Sequence, residues 1–174
     1  MHYINHYSSP LGKITLASNG NELIGLWFEG QKYFGSTLNG EYKQKSLPVF
    51  EQTAKWLDVY FSGKNPNFTP PLFLSSTSFR NEVWKILLAI PYGSVITYGG
   101  IADIMAKKRG AENMSAQAIG GAVGHNPISI IVPCHRVVGT DGSLTGYAGG
   151  VDIKEKLLKF ENVDMSMLFV PKSK

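Results

Sequence analysis

Hydrophobic residues change their period along this chain, and that change limits the possible folds more than any other feature. Over residues 1–28 the pattern is that of strands. Tyr3-Ile4-Asn5-His6-Tyr7 and Lys13-Ile14-Thr15-Leu16-Ala17-Ser18 alternate between apolar and polar, as half-buried strands do. Leu23-Ile24-Gly25-Leu26-Trp27-Phe28 reads as a third, more buried strand. Ser8 to Gly12 is a turn signal, and Asn19-Gly20 is a two-residue hairpin candidate. Connections this short predict a three-stranded antiparallel meander. Residues 29–46 are polar and glycine-containing, a loop with a short helical or strand piece.

Helical spacing then takes over. Pro48 suits the first turn of a helix that carries Val49, Thr53, Trp56, Leu57 and Tyr60 on one face and ends at Gly63. Pro66, Pro70, Pro71, Ser75 and Ser76 mark a boundary, which divides the chain into domains 1–74 and 75–174. Beyond it, Ser78 is a candidate cap for a helix with Phe79, Val83, Ile86, Leu87 and Ile90 inward, stopped by Pro91-Tyr92-Gly93. Thr97 caps the next, to about Ala106, and Lys107-Lys108-Arg109-Gly110 closes it with charges that suit a helix C-terminus. A third runs from Ser115 to Gly124, and a last one over 151–160 turns Ile153, Leu157 and Leu158 inward. The tail from Asp164 is expected to fray. Gly120 and Gly121 are costly inside a helix, at about 1 kcal/mol each against alanine. Either tight packing within the protein or close approach of another surface would account for them.

Cys134 is the only cysteine in 174 residues, so no internal disulfide can form, which suits a reducing compartment. His2, His6 and His125 lack partners at metal-ligand spacing, and no structural zinc site is expected. The N-terminus has no basic or apolar leader pattern, and no apolar run is long enough to span a bilayer, so a cytoplasmic protein with no membrane association is expected. Net charge is +4, with six lysines against five acids in residues 1–74 and eleven basic against eight acidic residues after them. That balance permits a polyanionic partner without requiring one.

The cysteine sits in Ile130-Ile131-Val132-Pro133-Cys134-His135-Arg136-Val137-Val138, among β-formers that favour extended, buried backbone. A free thiol has a pKa of about 8.5 and needs help to ionise at neutral pH. His135 is next to it in sequence, although neighbours along a chain need not face each other. The glycine-rich segment 139–150 is either a flexible surface loop or a pocket wall, and it lacks a phosphate-loop lysine pattern.

The Pro133-Cys134-His135-Arg136-Val137 core resembles the active-site segment of the O6-alkylguanine-DNA alkyltransferases. The resemblance extends through Asn126-Pro127, Gly142, Leu144, Gly146-Tyr147-Ala148-Gly149-Gly150 and Leu157-Leu158-Lys159-Phe160-Glu161, and upstream through Pro91-Tyr92-Gly93 and Thr97-Tyr98. It spans about residues 77–163, and covers the first 75 only in layout. It implies an α+β fold: a small, ribonuclease H-like N-terminal domain with a three-stranded antiparallel sheet, bracing a mostly helical C-terminal domain with a helix-turn-helix. It also implies a monomer that needs no cofactor and binds DNA containing O6-alkylguanine through the minor groove, with the damaged nucleotide flipped out. O4-alkylthymine is an implied second substrate.

The resemblance assigns roles as well. Cys134 attacks the alkyl carbon, His135 draws the thiol proton through a bridging water, Glu161 orients and charges that histidine, and Asn126 braces the reactive turn. Tyr98 donates to N3 of the flipped base, Tyr147 and Ala148 line it, with the Ala148 N–H near O6, and the carbonyls of Cys134 and Val137 hold its exocyclic amine. Thr97, Gln117, Ala118, Gly120 and Gly121 fall at the DNA, and Arg136 makes either a structural ion pair or a phosphate contact. Residues 97–106 and 115–124 are the two helices of the DNA-binding motif. Two other readings stay open on the residues themselves: a Cys-His-Glu thiol hydrolase, which would turn over repeatedly, and a non-catalytic helix-turn-helix DNA binder, which would tolerate loss of Cys134.

One position departs from the family pattern. Many members carry an arginine where this chain has Gln117, and that side chain fills the gap left by the flipped base. Glutamine wedges without the charge or the flat stacking face of a guanidinium. Gln117→Arg is therefore expected to tighten DNA binding and to steepen the dependence of log Kd on log salt by about 0.9, the slope of one added phosphate contact. Unchanged titrations at two salt concentrations would show that this side chain is not the wedge.

Overall fold

The computed structural model describes residues 1–171. The chain forms two compact units, one of residues 1–74 together with 127–131, the other of residues 75–126 and the chain from Val132 onward.

The first unit is built on a sheet of β1 (His2–Ser9), β2 (Gly12–Ser18), β3 (Leu23–Phe28) and β4 (Tyr42–Gln44), in the order β3-β2-β1-β4. The three antiparallel strands read from the alternation are present. The sheet gains a fourth because residues 42–44, within the predicted loop, pair in parallel with the outer edge of β1. The β2–β3 connection is also longer than the two residues expected from Asn19-Gly20. The Asn19 side chain accepts from the N–H groups of Asn21 and Glu22, which makes a four-residue loop. Every residue of β3 is buried. The open edge of β3 is bonded at Leu23 by residues 71–73 and at Leu26 by residues 127–129. Helix α1 (Pro48–Phe61) packs on β1 and β2 through Val49, Phe50, Thr53, Trp56, Leu57 and Tyr60.

The second unit contains α2 (Ser78–Leu88), β5 (Ile96–Thr97), α3 (Tyr98–Arg109), α4 (Ala116–Gly124), β6 (Val137–Val138) and α5 (Val151–Phe160). The cap of α2 is Thr77 rather than Ser78, because the Thr77 hydroxyl accepts from the N–H of Arg80, three residues on. Thr97 and Ser115 cap α3 and α4 in the same way, and Gly110 ends α3 in a left-handed conformation, φ 64°. Helices α2, α3 and α4 pack on one another, and the Trp84 indole N–H reaches the Ala122 carbonyl at 2.9 Å.

The apolar run around the cysteine is buried, but little of it is strand. Ile130 adopts φ 71°, Ile131 N–H bonds Ser129 O, and Cys134 N–H bonds Val132 O, so the backbone folds into consecutive tight turns. Pro133 has no N–H to give a ladder, and Cys134–Arg136 is a single 3-10 turn. Only Val137 and Val138 are extended, pairing in parallel with Ile96 and Thr97. The tail is more ordered than expected. Leu144 N–H bonds Phe169 O and Phe169 N–H bonds Gly142 O, while Met165 and Leu168 pack on a cluster of Val138, Leu144, Leu158 and Val163. The last three residues of the expected frayed tail, 172–174, lie outside the described residues.

Gly25 shows how closely the first unit is packed. A Cβ at this position would lie 2.1 Å from the ring of Trp27, whose side chain is fully buried. Gly25→Ala is expected to destabilise the protein by about 1–3 kcal/mol through overpacking, measured as a lowered urea midpoint.

Candidate active site

Two short devices in the second unit gather the side chains. The β5–β6 pair ties the chain just before Tyr98 to the chain just after the cysteine turn. Helix α5 packs on the turn itself and carries Lys154 and Glu161 to it.

Glu161 is the hub. Its Oε2 meets His135 Nε2 at 2.5 Å, and its Oε1 accepts from Arg136 Nε at 2.7 Å and from the Gly93 N–H at 3.1 Å. Burial works to raise its pKa, but the bonds and charges of His135 and Arg136 outweigh that and hold it at about 2. The carboxylate is therefore ionised throughout the physiological range. Burial pushes the His135 pKa down, Glu161 pulls it back up, and the charges of Arg136 and Lys154 lower it again, with a net fall. The ring is then neutral at neutral pH and able to take a proton, with Glu161 placed to hold the resulting imidazolium.

Cys134, the residue before His135, is buried. Burial pushes its thiol up, opposed by a hydrogen bond from the Asn126 side chain, the charge of Lys154, and the backbone N–H groups of Cys134 and His135. The Asn126 amide also donates to the Val132 carbonyl at 2.7 Å, so it bridges the turn to the end of α4. The Cys134 carbonyl already accepts from the Val137 N–H and keeps its second lone pair. Tyr98, at the start of α3, interacts electrostatically with the cysteine, and its hydroxyl donates to the Thr145 carbonyl at 3.0 Å. Burial first, then the cysteine, push its phenol up to about 12, so it stays a donor. Tyr147 is buried and Ala148 half-buried.

Of the two roles left open for Arg136, the geometry is that of the ion pair. Its guanidinium binds Glu161 and the Ile90 carbonyl and lies over the Tyr92 ring. The remaining named residues lie on α4 and at the cap of α3. Gln117, Ala118 and Gly121 are exposed on α4, Gly120 is half-buried, and Thr97 is half-buried with its hydroxyl oxygen used as the α3 cap. A Cβ on Gly120 or Gly121 would meet nothing within 4 Å, so packing within the protein does not explain these glycines. Lys107 and Lys108 are exposed, whereas Arg109 pairs with Glu82 at 3.1 Å.

Four contributors escaped the sequence reading: Gly93 and Tyr92, which hold Glu161 and the end of α5, and Lys154 with Thr145. Tyr92 donates to the Phe160 carbonyl at 3.2 Å. The signal for Lys154 was legible, since 154, 157, 158 and 161 form one helical stripe. No group of three or more His, Cys, Asp or Glu among the described residues is placed to hold a metal ion. No helix of the described residues is long and apolar enough to cross a membrane.

Two family profiles between them cover most of the chain. The profile described as 6-O-methylguanine DNA methyltransferase, DNA binding domain, matches residues 78–163, and its ribonuclease-like domain matches residues 2–74. The methylated-DNA–protein-cysteine methyltransferase of Methanosarcina barkeri is 44% identical over 160 residues, covering 91% of this chain and 96% of the relative. This chain belongs to the 6-O-methylguanine DNA methyltransferase family. The methyltransferase of the same name from Haemophilus influenzae is 38% identical, with 92% and 87% covered. The Mycobacterium tuberculosis OGT, solved in complex with DNA, superposes with a TM-score of 0.78 at 41% identity, over 91% of this chain and 92% of that one. For this methyltransferase-family chain, then, the mixed α/β architecture is that of its solved relatives.

Loss of the hub charge should be felt in stability. Glu161→Gln leaves the buried Arg136 uncompensated, and about 3 kcal/mol is expected to be lost at pH 7. The sign with pH follows from the depressed carboxyl. Its contribution is complete above the unfolded value near 4.5 and disappears as pH falls toward 2. Denaturant curves of the two proteins should therefore converge in acid, and a constant gap down to pH 2 would contradict this account.

Proposed function

We propose that this protein repairs DNA by moving an alkyl group from O6 of guanine onto the sulfur of Cys134, once per molecule. The observation that carries the reading is the single cysteine set beside a buried histidine, with that histidine bonded to an ionised, three-donor carboxylate.

The reaction is a displacement at carbon. The thiol proton leaves toward His135, and Glu161 stabilises the imidazolium by charge and by its hydrogen bond at Nε2. The sulfur lone pair forms the S–C bond as the C–O6 bond breaks, and the electron pair of that bond passes to the guanine. Proton uptake by the departing base balances the proton lost from sulfur. Tyr98 is the donor assigned to N3, and the Ala148 N–H to O6. The carbonyls of Cys134 and Val137 select the base through its exocyclic amine. The S–C bond of a thioether is not activated toward attack by water, because its thiolate leaving group and its alkyl carbon lack the polarisation of the O6-alkyl bond, so the product is permanent and the protein acts stoichiometrically.

Binding follows from the second unit. Helices α3 and α4, joined by residues 110–115, serve as a helix-turn-helix, with α4 set in the minor groove. The open space over Gly120 and Gly121 suits close approach of a sugar-phosphate wall in that narrow groove. Gln117, exposed on the first turn of α4, is the wedge that fills the stack when the base is flipped. O4-alkylthymine is a second substrate on this reading, and the protein works as a cytoplasmic monomer.

The test is mass spectrometry after mixing with an oligonucleotide holding one O6-methylguanine. The expected product is protein heavier by one methyl group, located on Cys134, in a single burst that stops at one equivalent. Cys134→Ser should abolish transfer while keeping DNA binding. Repeated turnover would favour a thiol hydrolase, and full activity of Cys134→Ser a purely binding role.

A further inference from the structure

The segment 139–150 carries the residues assigned to the flipped base, yet its five glycines work against any fixed shape. Its first half is a tight turn. Gly139 N–H bonds Ser143 O at 2.9 Å, Gly142 N–H bonds Gly139 O at 2.9 Å, and Ser143 N–H bonds Asp141 Oδ1 at 3.0 Å. Bonds within a turn fix its shape and not its place.

The place is set by the chain beyond α5. Asn162 takes a left-handed conformation, φ 56°, and Val163 N–H bonds Leu158 O at 3.1 Å, so the backbone doubles back. Two further turns, Ser166 N–H to Asp164 Oδ1 at 3.0 Å and Leu168 N–H to Met165 O at 3.1 Å, bring Phe169 alongside Ser143. There Leu144 N–H bonds Phe169 O at 2.9 Å and Phe169 N–H bonds Gly142 O at 3.1 Å, one step of a parallel ladder. Met165 and Leu168 pack on Val138, Leu144, Leu158 and Val163. The approach is close: a Cβ on Gly142, φ 93°, would run into the Met167 carbonyl. The Phe169 ring is exposed, so its backbone makes the ladder and its side chain does not.

We propose that residues 163–170 are a strap that positions the base-lining loop and thereby sets the size of the O6-alkyl group the site accepts. The inference rests on the function proposed above. Leu144 leads through Thr145 and Gly146 into Tyr147 and Ala148. The Ala148 N–H is the group assigned to O6, so an alkyl group on that oxygen lies against this segment. A loop pinned at Leu144 favours a small group. A loop released there admits a larger one and holds methyl less closely, and misplacement of a reacting group is costly in rate.

Phe169→Pro removes the N–H donated to Gly142, whereas Phe169→Ala keeps both ladder bonds and removes only the exposed ring. Gly142→Ala pushes the strap away from the other side. The first readout is the transfer rate from oligonucleotides holding one O6-methylguanine or one O6-butylguanine. In Phe169→Pro and Gly142→Ala the butyl-to-methyl rate ratio is expected to rise about tenfold, mainly through loss of the methyl rate, while Phe169→Ala keeps the wild-type ratio. A strap of structural value only would lower both rates together, and an unchanged ratio overturns the proposal. The second readout needs no DNA. Amides 144–148 should exchange hydrogen about tenfold faster in Phe169→Pro, with those of α2 still protected, and equal exchange in the two proteins refutes the strap. Should neither ladder variant fold, wild-type exchange decides: the Leu144 and Phe169 amides should be protected and open together, and a Leu144 amide exchanging as fast as an exposed one refutes the proposal. A wild type that transfers neither methyl nor butyl would sink the proposed function, while the exchange data would still score the strap.

Discussion

The second unit depends on one carboxylate. Glu161 ends α5 and accepts from the turn after α2, from the imidazole next to the cysteine, and from the guanidinium one residue further on. A buried carboxylate with fewer donors would protonate or unfold its surroundings. With three it stays ionised, and its charge orients the histidine and matches the arginine. Three segments far apart in sequence are thereby held at one point, and the nucleophile inherits its position from that arrangement.

The surroundings of the thiol divide the electrostatic work. Burial alone would leave the sulfur protonated and inert. The Asn126 amide, the Lys154 ammonium and local backbone N–H groups favour the ionised form, and on the function proposed here the His135–Glu161 pair receives the proton. Tight turns at residues 129–134, in place of the strand suggested by composition, keep the sulfur at the end of a constrained backbone. Such geometry reduces the motion that must be frozen when a substrate carbon is attacked.

Much of this was readable beforehand where the physics is local. Alternation placed β1 to β3, helical spacing placed α1 to α5, and a hydroxyl residue marked the helix cap at Thr97. What stayed open or was missed depended on distant partners. Within 29–46, read as a loop with a short helical or strand piece, residues 42–44 took the strand because an edge of β1 was open to them. The segment 165–170 is ordered by bonds to residues 142–144 and by Met165 and Leu168 packing on the core. Lys154 was overlooked because a charged residue in an amphipathic helix is ordinarily assigned to the wet face, although its spacing from Glu161 put it on the dry one.

By itself the sequence determined the element types, the single possible thiol, and through the Pro-Cys-His-Arg-Val segment the family, because periodicity, cysteine count and a dense motif are properties of the chain alone. Only the tertiary structure decided which charges meet. Whether Arg136 pairs with an acid, whether Gly120 and Gly121 are covered or open, and which cation faces the sulfur all depend on distances between residues remote along the chain. Those distances follow from packing, which one-dimensional patterns constrain but do not specify.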